Sequence, residues 1–238
     1  MSPAAVPDRM TARFVREAHT YAGNHLASRI SVTYPQYGGL SDDNRRASLI
    51  IAGTQTVADT PELVTRDVPF IVDVRMSRTG PGPWVAERFL PARPAAARPL
   101  TKLEATVLAK DSLRLPGPAR ADIAAGAINP LVLRLVDTLS DRWTLDIQVL
   151  KSGHPYDVYD TSRPSNHTLG RAVDIWAIDE VPVINQRRSK WKEVMTQAAA
   201  LGANEIGGPA DLDKVAGRRP YFTNAVHQDH VHLGFDKL

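Results

Sequence analysis

The first part of the chain contains two kinds of pattern of apolar and polar residues. The segments 10–30 and 41–60 have the pattern of amphipathic helices. The segments 68–79 and 83–92 alternate as strands on either side of the turn sequence GPG. Together the four segments predict a small α+β module over residues 1–92, and this module contains no cluster of side chains that points to chemistry.

A stretch rich in proline and alanine, LPARPAAARPL, follows this module and has the composition of a stiff linker. We assign residues 93–116 to the linker and residues 117–238 to a second domain. The predicted elements of that domain are helices over 119–143 (broken before Pro130) and 185–202, and strands over 144–153, 171–178 and 229–235. Because these helices and strands segregate rather than alternate, the pattern favours an α+β fold with a small antiparallel or mixed sheet.

Composition limits the classes of function that this chain can have. Its 238 residues are 43% hydrophobic and 23% charged, which is typical of a globular protein. The formal net charge is only +3, and neither residues 1–100 nor residues 101–238 have the basic excess that nucleic-acid binding requires. No apolar run approaches the roughly 18 residues of a membrane span. The first residues contain no apolar core of the length that a secretory signal needs.

The absence of cysteine excludes disulfides, thiolate zinc sites and cysteine nucleophiles. Any metal must therefore be bound by histidines and carboxylates. Three of the seven histidines lie close together in the sequence HQDHVHLGF, at positions 227–235. His230 and His232 are two residues apart, so they share one face if this segment is a strand.

A buried carboxylate is predicted in the apolar strand RAVDIWAI. There Asp174 and Trp176 share one face of the strand, and Val173 and Ile175 share the other. A carboxylate in such a strand must be paired, hydrogen-bonded or bound to a metal, because a lone buried charge is costly. Gly170 suits a tight turn that brings the preceding His167 back toward the strand.

Placing this strand beside the C-terminal one predicts a site for one zinc ion. Its predicted ligands are His167, Asp174 and His232. Two imidazoles and one carboxylate, with a fourth position left for water, are typical of catalytic zinc. Asp229 is then placed to act as general base on that water. His227 and His230 are predicted either to orient Asp229 or to stabilise the oxyanion that forms.

Two segments resemble the motifs of a known family. SNHTLGRAVDI resembles the Ser-x-His-x-x-Gly-x-Ala-x-Asp motif of the zinc D-Ala-D-Ala carboxypeptidases and related peptidoglycan peptidases. HQDHVHLGF resembles their closing motif, in which a carboxylate precedes the last histidine ligand. This family shares its fold with lysostaphin-type peptidases and the hedgehog signalling domain. The resemblance covers about residues 117–238, and it implies a hedgehog/DD-peptidase-like domain that hydrolyses peptidoglycan stem peptides or cross-links.

The resemblance also implies roles for single residues. It makes His167, Asp174 and His232 the zinc ligands and Asp229 the catalytic carboxylate, and it matches His227 and His230 to histidines of the closing motif. One feature of the family is missing here. Family carboxypeptidases carry an Arg after a Ser-Gly-Tyr stretch to bind the terminal carboxylate of the substrate, whereas this chain has LKSGHPYD. The candidate substitutes are Arg163, whose planar fork of donors suits a carboxylate, Lys151 and His154.

Two functions from different classes follow from these observations. The first is a peptidoglycan peptidase, for which carboxypeptidase and endopeptidase action are equally open. The second is a zinc-binding module of the same fold that binds a partner or stabilises structure without catalysis. Retention of Asp229 favours the enzyme, and the missing arginine favours the module. Without an export signal, a wall-degrading enzyme is expected to reach its substrate through cell lysis or injection, and otherwise to be cytoplasmic. The sequence does not identify a partner for the N-terminal module.

Overall fold

The computed structural model of the chain describes residues 27–58, 65–215 and 217–236. Helices and strands occupy separate stretches, so the described chain is α+β, as predicted. The strands are β1 (Ala27–Leu40), β2 (Arg46–Ala58), β3 (Thr65–Ser77), β4 (Val85–Pro91), β5 (Leu113–Arg114), β6 (Leu145–Val149), β7 (Ala172–Ile178), β8 (Val181–Pro182), β9 (Glu205–Gly207), β10 (Tyr221–Phe222) and β11 (Val231–Gly234). The helices are α1 (Lys102–Ala109), α2 (Gly117–Ala124), α3 (Pro130–Leu139) and α4 (Trp191–Ala200).

The first four strands form an antiparallel sheet in the order β1-β2-β3-β4, which we call the N-terminal sheet. The strands predicted on either side of the GPG turn are confirmed as β3 and β4. The helix predicted over 41–60 is wrong, because this segment contains strand β2. Strand β2 is central and buried on both faces, so its apolar run lacks the polar alternation of a half-exposed strand. Its sequence is nevertheless rich in the β-branched residues that favour strands.

The helix predicted over 10–30 lies mostly outside the described residues. Its last part is wrong, because β1 begins at Ala27. His19 and His25 also lie outside the described residues. Within the described residues of the predicted N-terminal module, the structure has strands and no helix.

The second sheet has seven strands in the order β10-β9-β11-β7-β6-β5, with β8 paired to β7. Its pairs are parallel for β10·β9 and β5·β6 and antiparallel for β11·β9, β11·β7, β6·β7 and β7·β8. The sheet is therefore mixed, which is one of the two predicted arrangements. The predicted strands over 144–153, 171–178 and 229–235 are present as the shorter strands β6, β7 and β11, and the predicted helix over 185–202 contains α4.

The helix predicted over 119–143 is divided before Pro130, as expected. Asn129 caps the N-terminus of α3 by accepting a hydrogen bond from the N–H of Leu131, and Pro130 occupies the first turn of that helix. The segment assigned to a linker, 93–116, contains both α1 and β5. Strand β5 pairs with β6, so this segment contributes to the second sheet.

The two sheets pack against each other through aliphatic and aromatic side chains. Ile50 and Ile71 of the N-terminal sheet pack against Val149 of β6 in one buried cluster. The rings of Tyr34 and Trp176 stack with centroids 4.6 Å apart. This packing brings β1 against the face of β7 that carries Asp174. Within the described chain, no helix has the length and apolar character required to traverse a bilayer.

Candidate metal centre

Two neighbouring strands and one turn position the three predicted ligands. His232 on β11 is paired directly opposite Asp174 on β7. The turn after His167 closes with a hydrogen bond from the N–H of Gly170 to the carbonyl of His167. Gly170 has a φ of +67°, and a Cβ at this position would lie 2.1 Å from the carbonyl oxygen of Ala127. Glycine is therefore required at the turn that brings His167 to the strand.

The three predicted ligands converge on one point. The Nε2 atom of His167 lies 3.1 Å from Oδ1 of Asp174 and 3.1 Å from Nδ1 of His232. The third side of this triangle, from His232 Nδ1 to Asp174 Oδ1, is 3.0 Å. Zinc bound at ligand distances of about 2.0–2.1 Å in a tetrahedron separates its ligand atoms by about 3.3 Å. The triangle is close to one face of such a tetrahedron, so these residues fit a metal of this size.

Hydrogen bonds orient both histidine ligands and fix the tautomer of His167. The Nδ1 atom of His167 lies 2.7 Å from the carbonyl oxygen of Leu150, which can only accept, so Nδ1 carries the proton and Nε2 presents its lone pair. The Nε2 atom of His232 lies 3.4 Å from Oε2 of Glu205, and its Nδ1 atom lies 3.0 Å from Oδ1 of Asp174, so both ring nitrogens face carboxylate oxygens. Asn166 in turn donates a hydrogen bond to Glu205. A metal ion at the triangle would accept the lone pair of His167 Nε2 and displace a proton from Nδ1 of His232.

The third ligand is also oriented by a neighbour. The Nε2 atom of Gln36, on β1, donates a hydrogen bond of 2.7 Å to Oδ2 of Asp174. Oδ1, which is the oxygen of the triangle, lies beside the two histidines. All three ligands thus have an outer partner, which is the arrangement that metal sites in proteins use to orient their ligands.

The pKa values of the two carboxylates are shifted toward the ionised form, and the pKa of His232 is shifted toward the protonated form. Burial opposes ionisation of Asp174, but the charges of His167 and His230 outweigh it and hold the pKa of Asp174 well below its usual value. Burial likewise opposes ionisation of Glu205, yet its hydrogen bond to His232 lowers the pKa of Glu205 to about 2. Burial acts against protonation of His232, while hydrogen bonds to Asp174 and Glu205 raise its pKa to about 10. Two carboxylates therefore stay ionised and attract positive charge.

His154 borders this centre from one side. Ligand atoms of His154, His167 and Asp174 all lie within 4.8 Å of one another, so these three residues also form a group that could hold a metal ion. The rings of His154 and His167 stack with centroids 4.0 Å apart and planes 16° apart. A histidine binds a metal along a lone pair in its ring plane, and an ion in the plane of His167 lies outside the plane of His154. His154 therefore borders the fourth position rather than occupying it.

Asp229 and His230 form a hydrogen-bonded pair behind the cavity. Oδ1 of Asp229 lies 2.7 Å from Nδ1 of His230, and Oδ2 accepts a hydrogen bond of 3.0 Å from the backbone N–H of Tyr37. Asp229 is 2% exposed and does not line the cavity, whereas His230 does. The Nε2 atom of His230 lies 3.9 Å from Oδ2 of Asp174. Burial raises the pKa of Asp229, against the opposing effect of its hydrogen bond to His230.

His227 is held by the loop before β11. Oδ1 of Asn224 accepts hydrogen bonds from the backbone N–H groups of Val226 and His227, and it lies 2.7 Å from Nδ1 of His227. Because that oxygen can only accept, Nδ1 carries the proton and Nε2 presents a lone pair. Burial, with the neighbouring His230 and His232, holds the pKa of His227 well below its usual value. The neutral ring makes no hydrogen bond to Asp229, so it does not orient that carboxylate.

A cavity of 350 Å³ opens beside the three ligands. Arg163, at 54% side-chain exposure, and Arg218 line its wall, as does His154. Of the three predicted substrate-binding residues, Arg163 and His154 therefore border the cavity. Lys151 does not, and its backbone N–H instead donates a hydrogen bond to Asp122.

Sequence reasoning missed several residues that orient the site. Gln36 and Tyr37 belong to the N-terminal module, which was predicted to contribute no chemistry. Glu205 lies on the short strand β9, and Leu150 contributes only its backbone carbonyl. No local motif marks these four residues, because each acts through a contact that the tertiary structure creates. A single clue was available for Glu205, since a carboxylate near paired histidines is a common outer partner.

Comparison of the chain with protein-family models, curated proteins and solved structures finds no match. The likeness of SNHTLGRAVDI and HQDHVHLGF to peptidoglycan-peptidase motifs therefore stays a prediction. The case for a metal centre depends instead on the position of His167, Asp174 and His232 within the structure. These residues could hold a metal ion through two nitrogens and one oxygen.

Proposed function

We propose that this chain is a zinc-dependent peptidase that hydrolyses peptidoglycan stem peptides or their cross-links on a hedgehog/DD-peptidase-like domain. One observation carries the proposal: three ligand atoms lie 3.0–3.1 Å apart, and each ligand is held by an outer partner. A cavity of about 350 Å³ opens beside them. A structural site would instead be enclosed by four protein ligands.

His167, Asp174 and His232 would hold the metal through Nε2, Oδ1 and Nδ1. Imidazole and carboxylate donors suit zinc among the common divalent ions. When bound, zinc makes water acidic enough to ionise near neutral pH and polarises a carbonyl oxygen. Nε2 of His167 already presents its lone pair to the site, whereas His232 would release a proton from Nδ1 when the metal binds.

Proton transfer in this proposal belongs to His230, with Asp229 as its positioning residue. The proton on Nδ1 of His230 is held by Oδ1 of Asp229, so Nε2 presents a lone pair on the cavity wall. This lone pair can accept a proton from water in the cavity and return it to the leaving amine. The sequence assigned the base role to Asp229 itself, but both of its carboxylate oxygens are engaged by His230 and Tyr37. Asp229 thus stabilises the charged imidazolium that His230 becomes.

The cavity wall favours an acidic substrate. Arg163 and Arg218 are exposed there, and each is only loosely paired, at 3.9 Å from Glu205 and 3.8 Å from Asp213. Their guanidinium groups can bind a carboxylate through two parallel hydrogen bonds. Stem peptides carry several carboxylates, and both carboxypeptidase and endopeptidase cleavage place one near the scissile bond. The arginines therefore support the substrate class and leave both modes of cleavage open.

A second function, a metal-binding module without catalysis, has one observation in its favour. His154 lies close enough that a change of its ring orientation would bring a fourth ligand to the metal and close the site. The stacking of His154 on His167 opposes this arrangement. A closed structural site would also not require a hydrogen-bonded Asp229–His230 pair beside the cavity, so this pair favours the enzyme.

The proposal is tested by measuring bound metal and hydrolysis on the same purified protein. We expect about one zinc ion per chain by mass spectrometry, as one three-ligand site requires. Cleavage of purified muropeptides should stop on treatment with a chelator and return with Zn²⁺. Zinc binding without any cleavage would favour the non-catalytic module. Failure to bind Zn²⁺ after reconstitution would overturn both functions.

A further inference from the structure

We propose that Gln36, on strand β1, is a positioning residue for the proposed metal ligand Asp174. The N-terminal sheet then helps to orient the ligands of the site. The inference rests on the proposed metal centre and adds to it a residue from outside the domain that carries the ligands. Gln36 is 0% exposed and Asp174 is 1% exposed, so their contact is shielded from water.

The contact selects which oxygen of Asp174 faces the metal. Nε2 of Gln36 donates a hydrogen bond of 2.7 Å to Oδ2 of Asp174. Oδ1 is the oxygen that lies 3.1 Å from His167 and 3.0 Å from His232. A donor bound to Oδ2 fixes the orientation of the carboxylate plane. Oδ1 is then directed at Nε2 of His167 and Nδ1 of His232. Outer partners of this kind orient metal-binding carboxylates and change metal affinity when they are removed.

Stability alone does not account for a glutamine at this position. The Oε1 atom of Gln36 is buried and has no hydrogen-bond partner among the described residues. A buried amide oxygen without a hydrogen bond destabilises a fold relative to an apolar side chain of the same shape. What glutamine provides here, and an apolar side chain would not, is the hydrogen bond from its Nε2 to Asp174.

The next residue of the same strand holds the other carboxylate of the site. The backbone N–H of Tyr37 donates to Oδ2 of Asp229, and the hydroxyl of Tyr34 donates to the carbonyl of Asp229 at 3.2 Å. Strand β1 therefore fixes both Asp174, the proposed ligand, and Asp229, the partner of His230. Docking of the N-terminal sheet thus completes the site from one side.

Gln148 provides a matched control for Gln36. It is also 0% exposed, and it lies between the same two sheets. Its Nε2 atom donates to the carbonyls of Tyr34 and Ile50, and its Oε1 atom also lacks a partner among the described residues. Neither of these acceptors belongs to a proposed metal ligand. Replacing either glutamine by methionine keeps the length of the side chain and removes the amide.

The experiment compares Gln36→Met with Gln148→Met and with the wild-type protein. Zn²⁺ affinity is measured by competition with a chelator, and the visible absorption of the Co²⁺-loaded protein reports the geometry of the ligands. We expect Gln36→Met to weaken Zn²⁺ binding about 10–100-fold and to shift the Co²⁺ bands. Gln148→Met should keep wild-type affinity and bands, even if thermal unfolding of the metal-free protein shows a loss of stability. Gln36→Leu, which also lacks a donor, should repeat the result of Gln36→Met.

Equal Zn²⁺ affinity in Gln36→Met and wild type would overturn the inference. So would an equal loss of affinity in the Gln36 and Gln148 variants, because that result would assign the effect to loosening of the interface between the sheets. Failure of the wild-type protein to bind Zn²⁺ is a separate outcome. It would overturn the proposed metal centre, and the role of Gln36 with it.

Discussion

Nε2 of His167 and Nδ1 of His232 lie 3.1 Å apart, and Oδ1 of Asp174 lies 3.1 Å from the first and 3.0 Å from the second. The carbonyl of Leu150 fixes the tautomer of His167, whereas carboxylate oxygens face both ring nitrogens of His232. These contacts raise the pKa of His232 to about 10, so a metal ion bound here would displace a proton from Nδ1. His232 of HQDHVHLGF thus joins His167 and Asp174 in a group that could hold a metal ion.

Removal of either histidine should abolish metal binding. We expect His167→Ala and His232→Ala to lose zinc, with an affinity loss greater than the about 10–100-fold caused by changes in outer partners. His227→Ala is the control. The ring of His227 lines the same cavity, but its centroid lies 5.8 Å from that of His232 and it forms only an edge-on ring contact there. Metal content by mass spectrometry decides the matter. Full zinc occupancy in His167→Ala or His232→Ala would refute the ligand assignment.

Asp229 and His230 should act as a unit. We expect His230→Ala and Asp229→Ala each to keep zinc and to lose hydrolysis by about 10²–10⁴-fold, the usual contribution of a positioned acid–base group. Because one residue acts through the other, the double variant should be little worse than His230→Ala alone. Steady-state rates on muropeptides test this. Losses that multiply in the double variant would show that the two residues work independently.

His154 should leave metal affinity unchanged. The stacked ring lies outside the coordination direction of His167, so His154→Ala is expected to retain about one zinc per chain. Its effect should appear in substrate binding, because the ring borders the cavity. Chelator competition provides the measurement. A large loss of Zn²⁺ affinity in His154→Ala would identify a fourth protein ligand and favour the non-catalytic module.

Arg163 and Lys151 should differ in their effect on substrate binding. Arg163 lines the cavity and Lys151 does not, although the sequence nominated both. Loss of the charge-assisted contact with a substrate carboxylate predicts that Arg163→Ala raises KM about tenfold with little change in kcat. Lys151→Ala serves as the matched loss of one positive charge and should leave KM unchanged. The opposite ranking in steady-state kinetics would move the carboxylate subsite toward Lys151.

Stability should depend on pH through the capping box of α1. The backbone N–H of Thr101 donates to Glu104 at 2.8 Å, and this bond, with support from Arg98, lowers the pKa of Glu104 from its ordinary 4.5. A lowered pKa in the folded state stabilises the protein above the ordinary pKa, and this contribution is lost as pH falls through the folded-state value. Glutamine keeps an acceptor for the N–H of Thr101 but removes the charge, so Glu104→Gln should reduce the free energy of unfolding at pH 7 by about 0.3–1 kcal/mol.

The difference between Glu104→Gln and wild type should shrink as the pH falls below 4.5. Glu193→Gln is a suitable control, because Glu193 lies in the first turn of α4, where no side chain caps the helix. Urea unfolding at several pH values gives both results. A difference for Glu104→Gln that stays constant down to acidic pH would remove the ionised carboxylate from the explanation.

The sequence determined those features that depend on local pattern. Alternation placed Asp174 and Trp176 on one face of β7, and in the structure that face meets β1 through Gln36 and Tyr34. Pro130 began α3, because proline fits the first turn of a helix, whereas α2 had already ended at Ala124. Local pattern was insufficient for β2, whose two buried faces leave no alternation to distinguish it from a helix.

Only the tertiary structure decided how the site is held. Gln36 and Asp174 are 138 residues apart, and Tyr37 and Asp229 are 192 residues apart, so no spacing in the sequence links them. The same packing places Asp229 behind His230 instead of on the cavity wall. The types of residue that can bind a metal are encoded locally by motif and strand period. Their orientation and proton positions depend on outer partners, and the packing of one sheet on another selects those partners.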